Sequence, residues 1–178
     1  MVSFEPNPVV AGRLRPVLPA NVRLVAAAAS DAAGTASLHA PDSIGAEGVG
    51  ALGPKAAGSV DVATVTIDSL DLHDVDFIKV DVEGHELQAL AGGLATIERS
   101  RPTLLVELET RHGPVRPVFE LLEPFGYDAF VLLAGTLVPT DATTYTGPTA
   151  PPRSYLSTVV RPERDRSPNN VLFIPRDH

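Results

Sequence analysis

The 178-residue chain contains no cysteine and no tryptophan, a single methionine, and aromatic residues at only 5% of its positions. Without cysteine it can build no disulfide framework, no thiolate nucleophile and no cysteine-ligated zinc. Basic residues are in deficit, 14 against 22 acidic ones, for a formal charge of −8. No Lys/Arg cluster interleaved with aromatics occurs, so neither non-specific phosphate-backbone binding nor a nucleic-acid partner is expected. Long apolar runs are lacking too: none approaches the roughly 20 residues of a membrane helix. Met1 is followed by Glu5, Pro6 and Pro8 instead of a basic stretch and an apolar block. Membrane insertion is not expected, and a cytoplasmic location is.

What is present is the balance of a soluble globular chain, 44% hydrophobic and 20% charged, sized for one domain over residues 1–178. Fourteen glycines and 17 prolines require short elements and many turns. Short apolar runs bounded by turn residues predict strands at Val22–Ala28, Val62–Ile67, Phe77–Val82, Thr103–Leu108, Ala129–Leu133 and Val171–Ile174. Leu87, Leu90, Ala91, Leu94 and Ile97 share one helical face, with Glu83 and Glu86 near its start and Arg99 and Arg101 at its end, as the helix dipole favours. Val115, Val118, Phe119 and Leu122 repeat that spacing between Pro114 and Gly126. Alternating strands and helices from Phe77 to Leu133 predict an α/β fold with a mostly parallel sheet and crossover helices. Ser43–Ser59 and Pro139–Asn170 read as long surface loops.

The segment FIKVDVEGHE, Phe77–Glu86, carries the densest chemistry, because open α/β sheets bind ligands beyond the carboxyl ends of their strands. Asp81 interrupts an apolar strand, where a carboxylate is costly unless it is hydrogen-bonded or used. Glu83 and Glu86 also fit a helix N-terminus, and His85 a helix start. Glu107 and Glu109 close the next predicted strand on one face, and parallel pairing brings Glu107 near Asp81. Asp81, Glu83, His85 and Glu107 could be imagined as ligands of a divalent cation in a hydrolase. Their spacing matches neither a two-histidine helix nor a calcium loop, and no metal is expected. Glu5 follows a short apolar run, where a strand-end carboxylate can accept both hydroxyls of a ribose. Ser30 and Asp31 precede Gly34 and read as a turn.

Together these pieces resemble the FkbM-type family of S-adenosylmethionine-dependent methyltransferases. The likeness rests on FEPNP at Phe4–Pro8, VAAAASDAAGTASLHAP at Val25–Pro41, the run from Thr66 to Gly93 containing DFIKVDVEGHELQALAGG, and RPTLLVELE at Arg101–Glu109. NNVLFIP resembles a closing strand. The resemblance implies a Rossmann-like class I methyltransferase fold, S-adenosylmethionine as cofactor, and methylation of a hydroxyl oxygen on a small-molecule or sugar acceptor. It implies that Glu5 binds the cofactor ribose and that Ser30 and Asp31 border the adenine. Asp81 and Glu83 would stand beside the methionine end and the acceptor as catalytic residues. In the family a strand and a glycine-rich loop precede FEPNP, whereas only Met1–Ser3 precede Phe4 here. The resemblance therefore implies an N-terminally truncated fold whose unpaired strands invite self-association, with a non-catalytic binding or assembly module as the alternative to an enzyme.

Overall fold

The computed structural model describes residues 1–39, 50–147 and 169–176. The chain divides into two compact units: Met1–Leu72 with Gln88–Thr96, and His73–Leu87 with Ile97–His178.

In the first unit, β1 (Val2–Phe4) pairs in parallel with β2 (Arg23–Val25). The two are joined through α1 (Pro8–Leu14), which is not among the elements expected from the sequence. The Asn7 side chain accepts hydrogen bonds from the Val9 and Val10 N–H groups, and Pro8 opens the helix where no N–H is needed. A second sheet runs in the order β3 (Ala28–Ala29), β6 (Val60–Val65), β4 (Gly34–His39), β5 (Ala51–Gly53). The expected strand Val22–Ala28 is thus divided between β2 and β3. Part of the expected loop Ser43–Ser59 is β5, and its residues before 50 lie outside the described ones.

The second unit holds a five-stranded sheet in the order β10 (Thr136–Thr140), β9 (Tyr127–Leu133), β11 (Asn170–Pro175), β8 (Thr103–Glu107), β7 (Phe77–Val80). β7 and β8 are parallel, while β11 runs antiparallel to both β8 and β9. β7, β8 and β9 therefore point the same way, with the last strand inserted among them and the β9–β10 hairpin at one edge. The architecture is α/β with mixed sheets, which corrects the mostly parallel expectation. β11, with Val171 and Phe173 buried, sits between β8 and β9 and fills the gap that a direct β8–β9 pairing would have closed. Pro139 and Thr140 complete β10, so the predicted Pro139–Asn170 loop starts later than expected, and residues 148–168 of it lie outside the described ones.

The predicted helix after β7 is two helices, α2 (Glu86–Ala91) and α3 (Leu94–Ser100), interrupted at Gly92–Gly93. Asp68 makes the restart possible: its carboxylate accepts from the Ala95 and Thr96 N–H groups at 3.0 and 2.8 Å and from the Thr96 hydroxyl at 2.7 Å. These are the orphan donors of the first turn of α3. α4 (Arg116–Leu122) ends in a 3₁₀ turn at Glu123–Phe125, with Gly126 left-handed at φ 68°. The core of this unit is built from Leu104, Val106 and Val171, all fully buried, and from Phe173, whose ring meets Phe119 of α4 edge-on at 5.3 Å. Among the described residues no helix is long and apolar enough to cross a membrane.

Candidate active site

β7 and β8 end side by side, Val80 being the register partner of Val106. Asp81, the residue after β7, is therefore brought beside Glu107, the last residue of β8, and its charge helps raise the Glu107 carboxyl. The sequence expectation that parallel pairing joins these two is met. The expectation that Asp81 is buried is not. β7 stops at Val80, Phe77 is 53% exposed, and Asp81 is exposed and ion-paired to Lys79 at 2.6 Å. An edge strand leaves its outer side open, so Asp81 needs no buried partner there.

After Asp81 the chain turns sharply through Glu83 (φ 49°) and Gly84 (φ 94°). Gly84 is required by space as well as by conformation, since a β-carbon on it would lie 2.8 Å from the His112 β-carbon. The turn carries Glu83 to Arg111 and His112 on the 3₁₀ turn Thr110–His112 that follows β8. Glu83 Oε2 lies 3.2 Å from Arg111 Nη2 and 3.0 Å from His112 Nε2. Glu109 Oε2 is 3.3 Å from the same imidazole nitrogen and also accepts from Arg111 Nε. The carboxylate and imidazole atoms of Glu83, Glu109 and His112 lie within 4.8 Å of one another. The Arg111 guanidinium bonds both carboxylates, and the group is an ion-pair network. His85, proposed from sequence beside Glu83, is not in this group; His112 is.

Glu107 differs from its neighbours. Its Oε1 accepts from the Asn169 side-chain amide, just ahead of β11, and Asn170 is its register partner. Burial, the Asp81 charge, the shared hydrogen bond with Asp81 and the charges of Glu109 and Glu83 push its carboxyl up to about 7. Burial likewise raises Glu86, whose Oε1 accepts from the Gly84 N–H at 2.7 Å. Tyr145, buried, donates its hydroxyl to the Leu108 carbonyl at 2.6 Å and anchors the chain behind Glu107 and Glu109.

The remaining candidates belong to the first unit. Glu5 follows β1, its N–H bonded to the Val25 carbonyl at 3.0 Å and its Oε1 accepting from the Asn7 N–H at 2.7 Å. Burial raises its carboxyl, and the Asn7 bond offsets part of that. Such a group is stabilised by further hydrogen-bond donors. Ser30 is buried just beyond β3, its N–H bonded to the Val65 carbonyl at 2.9 Å and its hydroxyl to Asp31 Oδ1 at 3.1 Å. The structure thus brings Asp81, Glu83 and Glu107 together, and holds Glu5, Ser30 and Asp31 in the other unit. Arg111, His112 and Asn169 are missed by sequence reasoning. Asn169 is 62 residues from Glu107, a distance at which spacing carries no signal.

A family model described as the methyltransferase FkbM domain matches residues 1–129. No curated protein matches the chain. A solved structure similar in fold is the crystal structure of methyltransferase FkbM from Methylobacillus flagellatus KT, with a TM-score of 0.50 and 16% identity over 97% of this chain. The chain spans 36% of the length of that protein.

Proposed function

This chain belongs to the methyltransferase FkbM domain family, and on that premise we propose that it is an S-adenosylmethionine-dependent methyltransferase acting on a hydroxyl oxygen of a small molecule or sugar. The observation that carries the reading is the family match over residues 1–129, which contains both Glu5 after β1 and the carboxylates that close β7 and β8. The three strands of common direction, β7, β8 and β9, are in keeping with a Rossmann-like class I methyltransferase sheet. When bound, the cofactor supplies a methyl group on a cationic sulfur, an electrophile whose leaving group is a neutral thioether.

The residues present suit that cofactor. Glu5, half-buried at the end of β1, would hold the ribose hydroxyls, and Ser30 with Asp31 would border the adenine. Asp81 and Glu83 would stand at the methionine end and the acceptor. Lys79 on Asp81 and Arg111 with His112 on Glu83 fix those carboxylates in place, so that alignment of the reactants costs little reorganisation. The test is calorimetric titration with S-adenosylmethionine, followed by transfer of labelled methyl to a panel of sugars and small alcohols. Binding and labelled product are expected; a protein that binds no cofactor contradicts the reading.

A second reading is favoured by one observation, the position of β7 as the outermost strand of its sheet among the described residues. A module that pairs with another chain through that edge, self-association included, would use its unpaired backbone groups. Sedimentation separates it from the first reading: a well-folded monomer at micromolar concentration contradicts edge pairing with a second copy.

A further inference from the structure

The turn that carries Glu83 is strained. Glu83 itself stands at φ 49°, in the left-handed region that a residue with a side chain adopts only where its surroundings impose it, and Gly84 follows at φ 94°. His112 touches this turn at two places. Its β-carbon packs so closely on Gly84 that a β-carbon there would lie 2.8 Å away, and its Nε2 stands 3.0 Å from Glu83 Oε2. Arg111 Nη2 reaches the same oxygen at 3.2 Å, so two donors hold the Glu83 carboxyl by one oxygen and oppose its rotation. Glu109 Oε2 lies 3.3 Å from His112 Nε2 and accepts from Arg111 Nε, which steadies both donors. Two acceptor oxygens facing Nε2 require that this nitrogen carries hydrogen.

We propose that His112 is the positioning residue that sets the direction of the Glu83 carboxyl towards the acceptor. This rests on the methyltransferase reading, in which Glu83 stands beside the acceptor, and extends it to a residue to which the resemblance gives no role. The two contacts of His112 do different things. Packing of its β-carbon on Gly84 limits the course of the backbone, while its N–H fixes Oε2 of Glu83 and thereby the direction in which Oε1 faces. In-line displacement needs the acceptor oxygen aligned with the methyl carbon, and a carboxyl that rotates aligns its ligand for only part of the time.

The test compares H112A, which keeps the β-carbon on Gly84 and removes the N–H, with H112Q, whose side-chain amide returns an N–H near the place of Nε2. The melting temperature and S-adenosylmethionine affinity of H112A are expected to stay close to those of the wild type. Its kcat for methyl transfer to an acceptor from the panel of sugars and small alcohols is expected to fall by up to about 10²-fold, the cost of a small misplacement, and H112Q to recover most of the loss. A purely structural His112 would lower the melting temperature and leave kcat of the folded protein unchanged. Apart from activity, the ¹⁵N spectrum of the imidazoles without cofactor is expected to show a signal with hydrogen on Nε2 that is absent in H112A and moves in E83Q. The proposal is overturned if that signal is the same in E83Q, if H112A turns over as fast as the wild type, or if H112Q is no faster than H112A. Failure of the wild type to bind cofactor is a separate result: it contradicts the methyltransferase reading, and the imidazole spectrum still shows whether His112 holds Glu83.

Discussion

Gly92 lies so close to Ser30 that a β-carbon on it would stand 1.9 Å from the Ser30 carbonyl oxygen. The end of α2 can rest on the Ser30–Asp31 turn only because position 92 has no side chain. Neither backbone is a flexible side-chain end that could swing aside. Gly92→Ala is therefore expected to destabilise the protein by about 1–3 kcal/mol, the usual cost of overpacking, and to displace Ser30 and Asp31. Denaturant unfolding checks the first effect. A variant as stable as the wild type would show that the turn yields.

Asp68 accepts three hydrogen bonds from the start of α3. Asp68→Ala leaves Ala95 and Thr96 without their cap and should cost about 1–2 kcal/mol, in the range measured for lost N-caps. Thermal unfolding reads the loss. Asp68→Asn, which keeps acceptor oxygen at the same place, is expected to recover part of it.

The pH dependence of stability follows from Glu107. Its carboxyl is raised from 4.5 to about 7 on folding, so the folded state binds the proton more tightly than the unfolded chain. The stability tied to that proton is fully present below 4.5 and is lost as pH rises to about 7. Glu107→Gln removes the loss. Its melting temperature relative to the wild type is expected to be higher on the alkaline side of this window than on the acid side; a constant difference would show that Glu107 titrates normally.

Asp81→Asn keeps size and removes charge. Because Asp81 is exposed and lies past the end of β7, folding is expected to be spared. On the methyltransferase reading, methyl transfer by Asp81→Asn is expected to fall by about 10²–10⁴-fold, the contribution of a general base. Equal turnover of the variant and the wild type would remove Asp81 from the reaction.

The parts of this structure that the sequence made legible are those set by local pattern. The β7 and β8 runs are rich in apolar residues, so their parallel pairing and the approach of Asp81 to Glu107 follow from strand–helix–strand order. The Gly126 helix stop is equally local. What escaped depends on tertiary choice. Nothing within NVLFIP says that β11 enters between β8 and β9, and nothing near Glu107 points to Asn169. The helix break needed two facts at once, Gly92–Gly93 in the run and Asp68 some distance upstream to cap the restart. Asn7–Pro8 reads as a turn because an Asx cap and a turn begin with the same residues. Asp81 looked buried because its strand is apolar, and apolar residues do not reveal that β7 lies at an edge.

The central claim is that Glu5 holds the ribose of S-adenosylmethionine, and calorimetric titration of that cofactor into the wild type and Glu5→Ala tests it most directly. The account predicts saturable binding by the wild type and a loss of about 1.5–3 kcal/mol in the variant, the value of a hydrogen bond to a charged group, which is roughly 10–150-fold in affinity. Equal affinity in the two proteins would contradict it.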